Sequence, residues 1–219
     1  MNHINKIMLI ILLVLTACVS AYGFYTYSDF YHDDSLISLR YCRNFIDGRG
    51  LVWNEGERVE GYSNFLFMML VSALGFLGMD LIYASQVVGI LSFIAINIIL
   101  FIHLRRRGET RRNYSFLIPI IITITSYPLI IWGFGGLEGN FFACLALIGA
   151  IAFIDAVEKG NRFLVPAGAF FALTAMARVD GPLFFAVTLL FVLYFLAAGE
   201  IKNFLPAAYF IGAFVVIYG

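Results

Sequence analysis

The stretch IYASQVVGILSFIAINIILFIHLRRR, residues 82–107, decides the class of fold. It carries no Asp, Glu, Lys or Arg as far as Leu104, longer than the roughly 20 residues a helix needs to cross a bilayer. It closes on Arg105, Arg106 and Arg107, with Arg111 and Arg112 just beyond. Five arginines in eight residues belong on the cytoplasmic side of a membrane. The whole chain agrees: 62% hydrophobic, 13% charged, mean hydropathy +0.91, where a soluble domain carries about 25% charge. Soluble folds are excluded, and so are outer-membrane barrels, whose strands alternate over about 10 residues. The expectation is all-α: a polytopic bundle of transmembrane helices.

Toward the N-terminus, residues 62–79 are apolar but punctuated by Gly75 and Gly78. A first span is expected at 7–27, behind a basic leader that includes Lys6. Leu15-Thr16-Ala17-Cys18 has the look of a lipoprotein processing site. The chain stays apolar beyond it, so the segment is read as a retained helix. If the leader and the arginine cluster are both cytoplasmic, two crossings fit between them, not three. Residues 62–79 are therefore expected to rest on the outer leaflet as a juxtamembrane helix, within an extracytoplasmic loop spanning 29–81.

Toward the C-terminus, further spans are expected at 115–132, 137–157, 164–177, 183–198 and 204–219. This layout puts nine of the 14 Lys and Arg residues in the cytoplasm. Asp29, Asp33, Asp34, Asp47, Glu55, Glu57, Glu60, Asp80, Glu138 and Asp180 fall outside, with Arg40, Arg43, Arg49, Arg58 and Arg178. Because the chain ends at Gly219 inside an apolar run, an N-terminal portion of a larger protein is expected, with a C-terminal portion or partner chain to complete it. Cys18, Cys42 and Cys144 are too scattered to imply a disulfide.

The polar loop holds the chemistry. Residues 33–47 read as a short helix, with Asp33 and Asp34 at its positive end and Gly48 and Gly50 stopping it. Asp33, Arg40, Arg43 and Asp47 share one face, and Leu39, Cys42 and Ile46 form an apolar strip beside it. Residues 51–60 read as a tight β-hairpin turning near Gly56, which folds Arg58 and Glu60 back toward Asp33 and Asp34. Trp53 and Tyr62 read as interfacial anchors.

Asp33-Asp34-Ser35-Leu36-Ile37-Ser38-Leu39-Arg40-Tyr41-Cys42-Arg43-Asn44-Phe45, then Gly48-Arg49-Gly50-Leu51-Val52-Trp53-Asn54-Glu55-Gly56-Glu57-Arg58-Val59-Glu60-Gly61-Tyr62-Ser63-Asn64-Phe65, resembles the first extracytoplasmic loop of C-type (GT-C) membrane glycosyltransferases. The nearest likeness is to the terminal arabinofuranosyltransferases of cell-wall arabinan. It continues loosely through Gly136-Leu137-Glu138-Gly139-Asn140 and Ala177-Arg178-Val179-Asp180-Gly181. The resemblance implies a GT-C-like bundle whose large first loop carries juxtamembrane helices. It also implies transfer of a sugar, with inversion, from a polyprenyl-phosphate donor to a glycan, lipid or protein acceptor at the outer face of a bacterial inner membrane.

By the same resemblance, Asp33 or Asp34 is the general base and Glu138 the second-loop acid. Arg40, Arg43, Arg58 or Arg178 would hold the phosphate, and Glu60, Tyr62, Asn64 and Asp180 complete the substrate-binding set. A carboxylate suits the base because it is ionised at neutral pH, and guanidinium forks suit a phosphate. No nucleotide-binding loop is present, as a lipid-linked donor requires. Membrane lipids are expected partners and nucleic acid is not. His32 beside two carboxylates is thin ground for a divalent metal, so no cofactor is assigned. Two other classes stay open: a transporter or flippase of lipid-linked intermediates, and a noncatalytic truncated scaffold. A transporter is expected to carry ionisable or helix-breaking residues near mid-membrane, whereas the acids here cluster at the outer edge.

Overall fold

The computed structural model describes residues 3–27, 29–57, 59–107, 116–199 and 204–218. Every regular element among them is helical. The helices are α1 (His3–Tyr27), α2 (Asp33–Ile46), α3 (Phe65–Phe76), α4 (Leu81–Arg107), α5 (Leu117–Ile124), α6 (Tyr127–Phe134), α7 (Gly139–Lys159), α8 (Leu164–Ala177), α9 (Gly181–Ala197) and α10 (Phe204–Tyr218). The chain is an α-helical membrane protein. Among the described residues three helices are long and apolar enough to cross a bilayer, and the bent pair α5–α6 makes a fourth if counted as one span. The remaining expected spans are helices α8, α9 and α10, apolar but shorter. At 12 residues, α3 is about 18 Å long against a hydrocarbon core of about 30 Å.

Two expectations need correction. The span expected at 115–132 is not one helix: α5 and α6 meet at 45° across Thr125 and Ser126. Pro128 lies in the first turn of α6, where its missing N–H costs nothing, whereas inside a continuous helix its ring would clash with the carbonyl four residues back. The hairpin at 51–60 is absent too, with no strand among the described residues. A turn survives, the Glu57 N–H bonding to the Asn54 carbonyl at 3.2 Å. The flank that would have built a ladder is used otherwise. Asn44 Nδ2 donates to the Val52 and Trp53 carbonyls at 2.7 and 3.1 Å. Arg58 lies outside the described residues, as do Arg111 and Arg112.

The chain divides into two compact units. Unit 1 takes residues from 1–61 and 68–141. In it α1 turns Leu12 and Thr16 inward while Ile10, Val14 and Tyr25 stay exposed, as a lipid-facing helix does. The α4 helix buries a row of polar groups that tie down the bent pair. Thr123 Oγ1 donates to Asn97 Oδ1 at 2.7 Å, and Gln86 Nε2 to the Phe134 carbonyl at 3.1 Å. Asn140 Nδ2 reaches the Leu129 and Gly89 carbonyls at 2.8 and 3.4 Å. Such bonds hold helices together where hydrocarbon solvent offers no competing partner. Gly89 permits the approach of α4 to α6: a Cβ there would stand 2.5 Å from the Gly133 carbonyl oxygen.

Unit 2 takes residues 62–67 and the described part of 142–219. Its core is a seam of α8 and α10, with Ala167, Ala172, Ala175 and Ala207 fully or nearly buried beside Phe171, Phe210 and Phe214. Small residues let the backbones close up. Phe185 of α9 stacks on Phe214 and Phe210, ring centroids 3.8 and 4.9 Å apart.

Candidate functional site

Asp33 and Asp34 open α2, whose N-terminal half-charge favours acids in the first turn. The cap is His32, whose Nδ1 accepts the Asp34 N–H at 3.2 Å. Ser35 Oγ closes the same turn by donating to the His32 carbonyl. His32 Nδ1 stands 3.3 Å from Asp33 Oδ1 and 3.6 Å from Asp34 Oδ2. The Asp34 N–H also bonds to Asp33 Oδ1 at 3.0 Å. Both carboxylates are exposed. One ligand atom from each of His32, Asp33 and Asp34 falls within 4.8 Å of the others. One cation fits that spacing, a donor set of nitrogen and hard oxygen.

The second acid arrives by a different route. After α6 the chain turns through Gly135 and Gly136 to Glu138, which is buried. The Gly135 carbonyl accepts the His32 N–H at 3.1 Å. Phe30 packs edge-on to Trp132, and His32 lies 5.3 Å from the same indole. Gly136, at φ +77°, lies against the Tyr31 ring, a place where no side chain fits. The segments carrying Asp33, Asp34 and Glu138 are thus joined by backbone and ring contacts, although some hundred residues separate them in sequence.

Tyr31 fastens this corner to α4, its hydroxyl 3.0 Å from Ser85 Oγ. Burial pushes its phenol above the ordinary 10.0, against the hydrogen bonds from Ser85 and Ser35. Ionisation is penalised only in the folded state, so the neutral phenol contributes fully below pH 10.0 and progressively less as pH rises toward the folded pKa. Tyr31→Phe is expected to lower stability near pH 8 by about 0.5–1.5 kcal/mol and to flatten the alkaline decline. Thermal unfolding of the detergent-solubilised protein from pH 8 to 11 measures both. A variant that loses stability above pH 10 as steeply as wild type excludes Tyr31 as the alkaline trigger.

The expected basic face of α2 is there, partly committed. Arg40 Nε donates to the Trp53 carbonyl at 2.9 Å and its NH2 to Asn54 Oδ1 at 2.8 Å. Its guanidinium sits 4.4 Å over the Trp53 ring, a cation–π contact. Trp53, expected as an interfacial anchor, also packs on Tyr41 at 5.9 Å. Arg43 is exposed, with Asp47 at 4.0 Å, and Arg49 approaches the same carboxylate at 3.7 Å. Beneath this face Leu39 and Cys42 are buried, with Ile46 half-buried beside them, and burial pushes the Cys42 thiol up. The buried Tyr41 hydroxyl donates to the Val59 carbonyl at 2.9 Å and accepts the Gly61 N–H at 3.0 Å. It thereby pins the segment that bears Glu60, itself exposed.

The other expected residues belong to unit 2. Tyr62 is half-buried and Asn64 buried. Arg178 and Asp180 form an exposed pair at 3.0 Å. Sequence reasoning read Tyr31 as an interfacial anchor, gave no role to Trp132 and Asn54, and left His32 out because one histidine beside two carboxylates is thin ground for a metal. Aromatics at span ends read as interfacial anchors, and only the tertiary contact makes Trp132 a neighbour of His32. Compared with known proteins, the chain matches no family, no curated protein and no solved structure.

Proposed function

We propose that the chain is a C-type membrane glycosyltransferase acting at the outer face of a bacterial inner membrane. It moves a sugar from a polyprenyl-phosphate donor to a glycan, lipid or protein acceptor. The acceptor hydroxyl oxygen attacks the anomeric carbon, the bond from that carbon to the phosphate oxygen breaks, and the pair leaves with the polyprenyl phosphate. Asp34 or Asp33 takes the hydroxyl proton, and the exposed Arg43 and the Trp53-backed Arg40 offer positive charge to the leaving phosphate.

One observation carries this reading. The Gly135 carbonyl holds the His32 N–H, so two carboxylate-bearing segments remote in sequence converge in a membrane protein, at the start of a helix that carries the exposed Arg40 and Arg43 farther along. The test is transfer of radiolabelled sugar in membranes containing the protein, with polyprenyl-phosphate sugars in one arm and nucleotide sugars in the other. Transfer from the lipid-linked donors alone, lost in the combined D33N/D34N/E138Q variant at equal expression, is the expected result. Transfer from nucleotide sugars, or an undiminished rate in the triple variant, overturns it.

A further inference from the structure

Unit 2 contains a cavity of about 400 Å³ between α7 and α9, with the buried Phe171 of α8 as its back wall. Its sides are Phe153 and Ile154 on α7 and Leu183, Phe184 and Thr188 on α9, and among its lining residues Thr188 alone has a polar side chain. Leu183, Val187 and Phe191 at its margin are exposed, so the cavity is a trough open along one side. Water finds no set of partners in such a place, whereas a hydrocarbon chain gains close contacts along its length. The α7 wall is long and apolar enough to cross a bilayer.

One end of the trough is charged. Asp180 immediately precedes α9, its carbonyl accepting the Leu183 N–H at 3.1 Å. Arg178 NH2 donates to Asp180 Oδ2 at 3.0 Å. The Arg178 guanidinium lies 5.6 Å over the Phe142 ring, and Phe142 packs edge-on at 5.5 Å against Phe184 of the trough wall. A ligand lying in the trough with its head at this end meets Arg178 and Asp180. A purely anionic head gains from Arg178 and is repelled by Asp180. A head bearing both a phosphate and an ammonium satisfies the two together, the second carboxylate oxygen accepting an N–H. A quaternary choline nitrogen has no N–H to give.

We propose that this trough is a binding site for a phosphoethanolamine lipid, with one acyl chain between α7 and α9, its phosphate on Arg178 and its ammonium on Asp180. The proposal does not rest on sugar transfer, and it assigns Arg178 and Asp180, expected from the sequence in the substrate-binding set, to a lipid head group instead. Native mass spectrometry of the purified protein in detergent tests it, with phosphatidylethanolamine, phosphatidylcholine, phosphatidylglycerol and a polyprenyl phosphate offered in equal amounts. Phosphatidylethanolamine is expected to be retained about tenfold over each of the others, the discrimination of one charge-assisted hydrogen bond. Val187→Trp, which narrows the trough, should lower retention of all four lipids. Asp180→Asn, on the surface and no threat to folding, should bring phosphatidylethanolamine down to the level of phosphatidylcholine. Equal or stronger retention of any other lipid by the wild type overturns the proposal, as does a preference that survives Asp180→Asn.

Discussion

Asp34→Asn is expected to lower sugar transfer by about 10²–10⁴-fold, the loss typical of a missing general base, with the protein still inserted and folded. Asp33→Asn should cost much less. The two neighbours differ in what already engages them. Asp33 Oδ1 accepts the Asp34 N–H at 3.0 Å and stands 3.3 Å from His32 Nδ1. Among the described residues the Asp34 carboxylate has His32 nearby, at 3.6 Å, and accepts no backbone N–H, so it can turn toward an acceptor hydroxyl. Asn preserves the size of the side chain and the exposed setting, so the comparison isolates proton acceptance from packing. Initial rates at saturating donor and acceptor, with protein quantified in the same membranes, give the ranking. If Asp33→Asn proves the more damaging, the base is Asp33 and the His32 contact orients it. If both variants keep near wild-type rates, neither acid is the base.

Gly89→Leu should have the largest structural effect. A Cβ at this position meets the Gly133 carbonyl oxygen at 2.5 Å and the Gly133 Cα at 3.2 Å. Both are backbone atoms, so no side chain can swing aside, and α4 and α6 must move apart. Overpacking of this kind costs about 1–3 kcal/mol or more. Here it also strips the bonds that depend on the close approach, Asn140 to the Gly89 carbonyl and Gln86 to the Phe134 carbonyl. Since α6 leads directly into Gly135, which holds His32, the loss should reach the site: lower thermal stability together with lost transfer. Gly212→Ala is the matched control. It sits within α10 with nothing near the added methyl, and alanine is the better helix former by about 1 kcal/mol. Its stability should equal or exceed that of the wild type. A Gly89→Leu protein that melts with the wild type would mean that the α4–α6 contact is not tight in the folded protein.

The helices were largely legible because each rests on a local pattern. The acids at 33 and 34 and the glycines at 48 and 50 bracket α2 as expected, and α2 ends at Ile46 with Asp47 as its cap. The arginines after Leu104 extend α4 to Arg107, since cations stabilise the C-terminal end of a helix. Where a segment had no strong pattern of its own, its neighbours decided. Residues 51–57 have a turn but no hairpin, because Asn44 and Arg40 of α2 take the carbonyls a strand would need. The break between α5 and α6 was signalled by Pro128, yet the run of apolar residues around it masked the signal.

That this is a helical membrane protein, which acids and arginines share its polar loop, and which face of α2 is polar can all be read along the chain without a structure. Those properties follow from hydrophobicity and helical periodicity, which act over a few turns and need no partner. It took the folded chain to reveal that His32 bonds to Gly135 and brings the Glu138 segment to the aspartates. The fold also shows that Arg40 is backed by Trp53, and that α7 and α9 leave a trough ending at Arg178 and Asp180. Each of these depends on side chains and backbone groups far apart in the chain filling one another's space and hydrogen-bonding capacity, and that complementarity is written in no single segment.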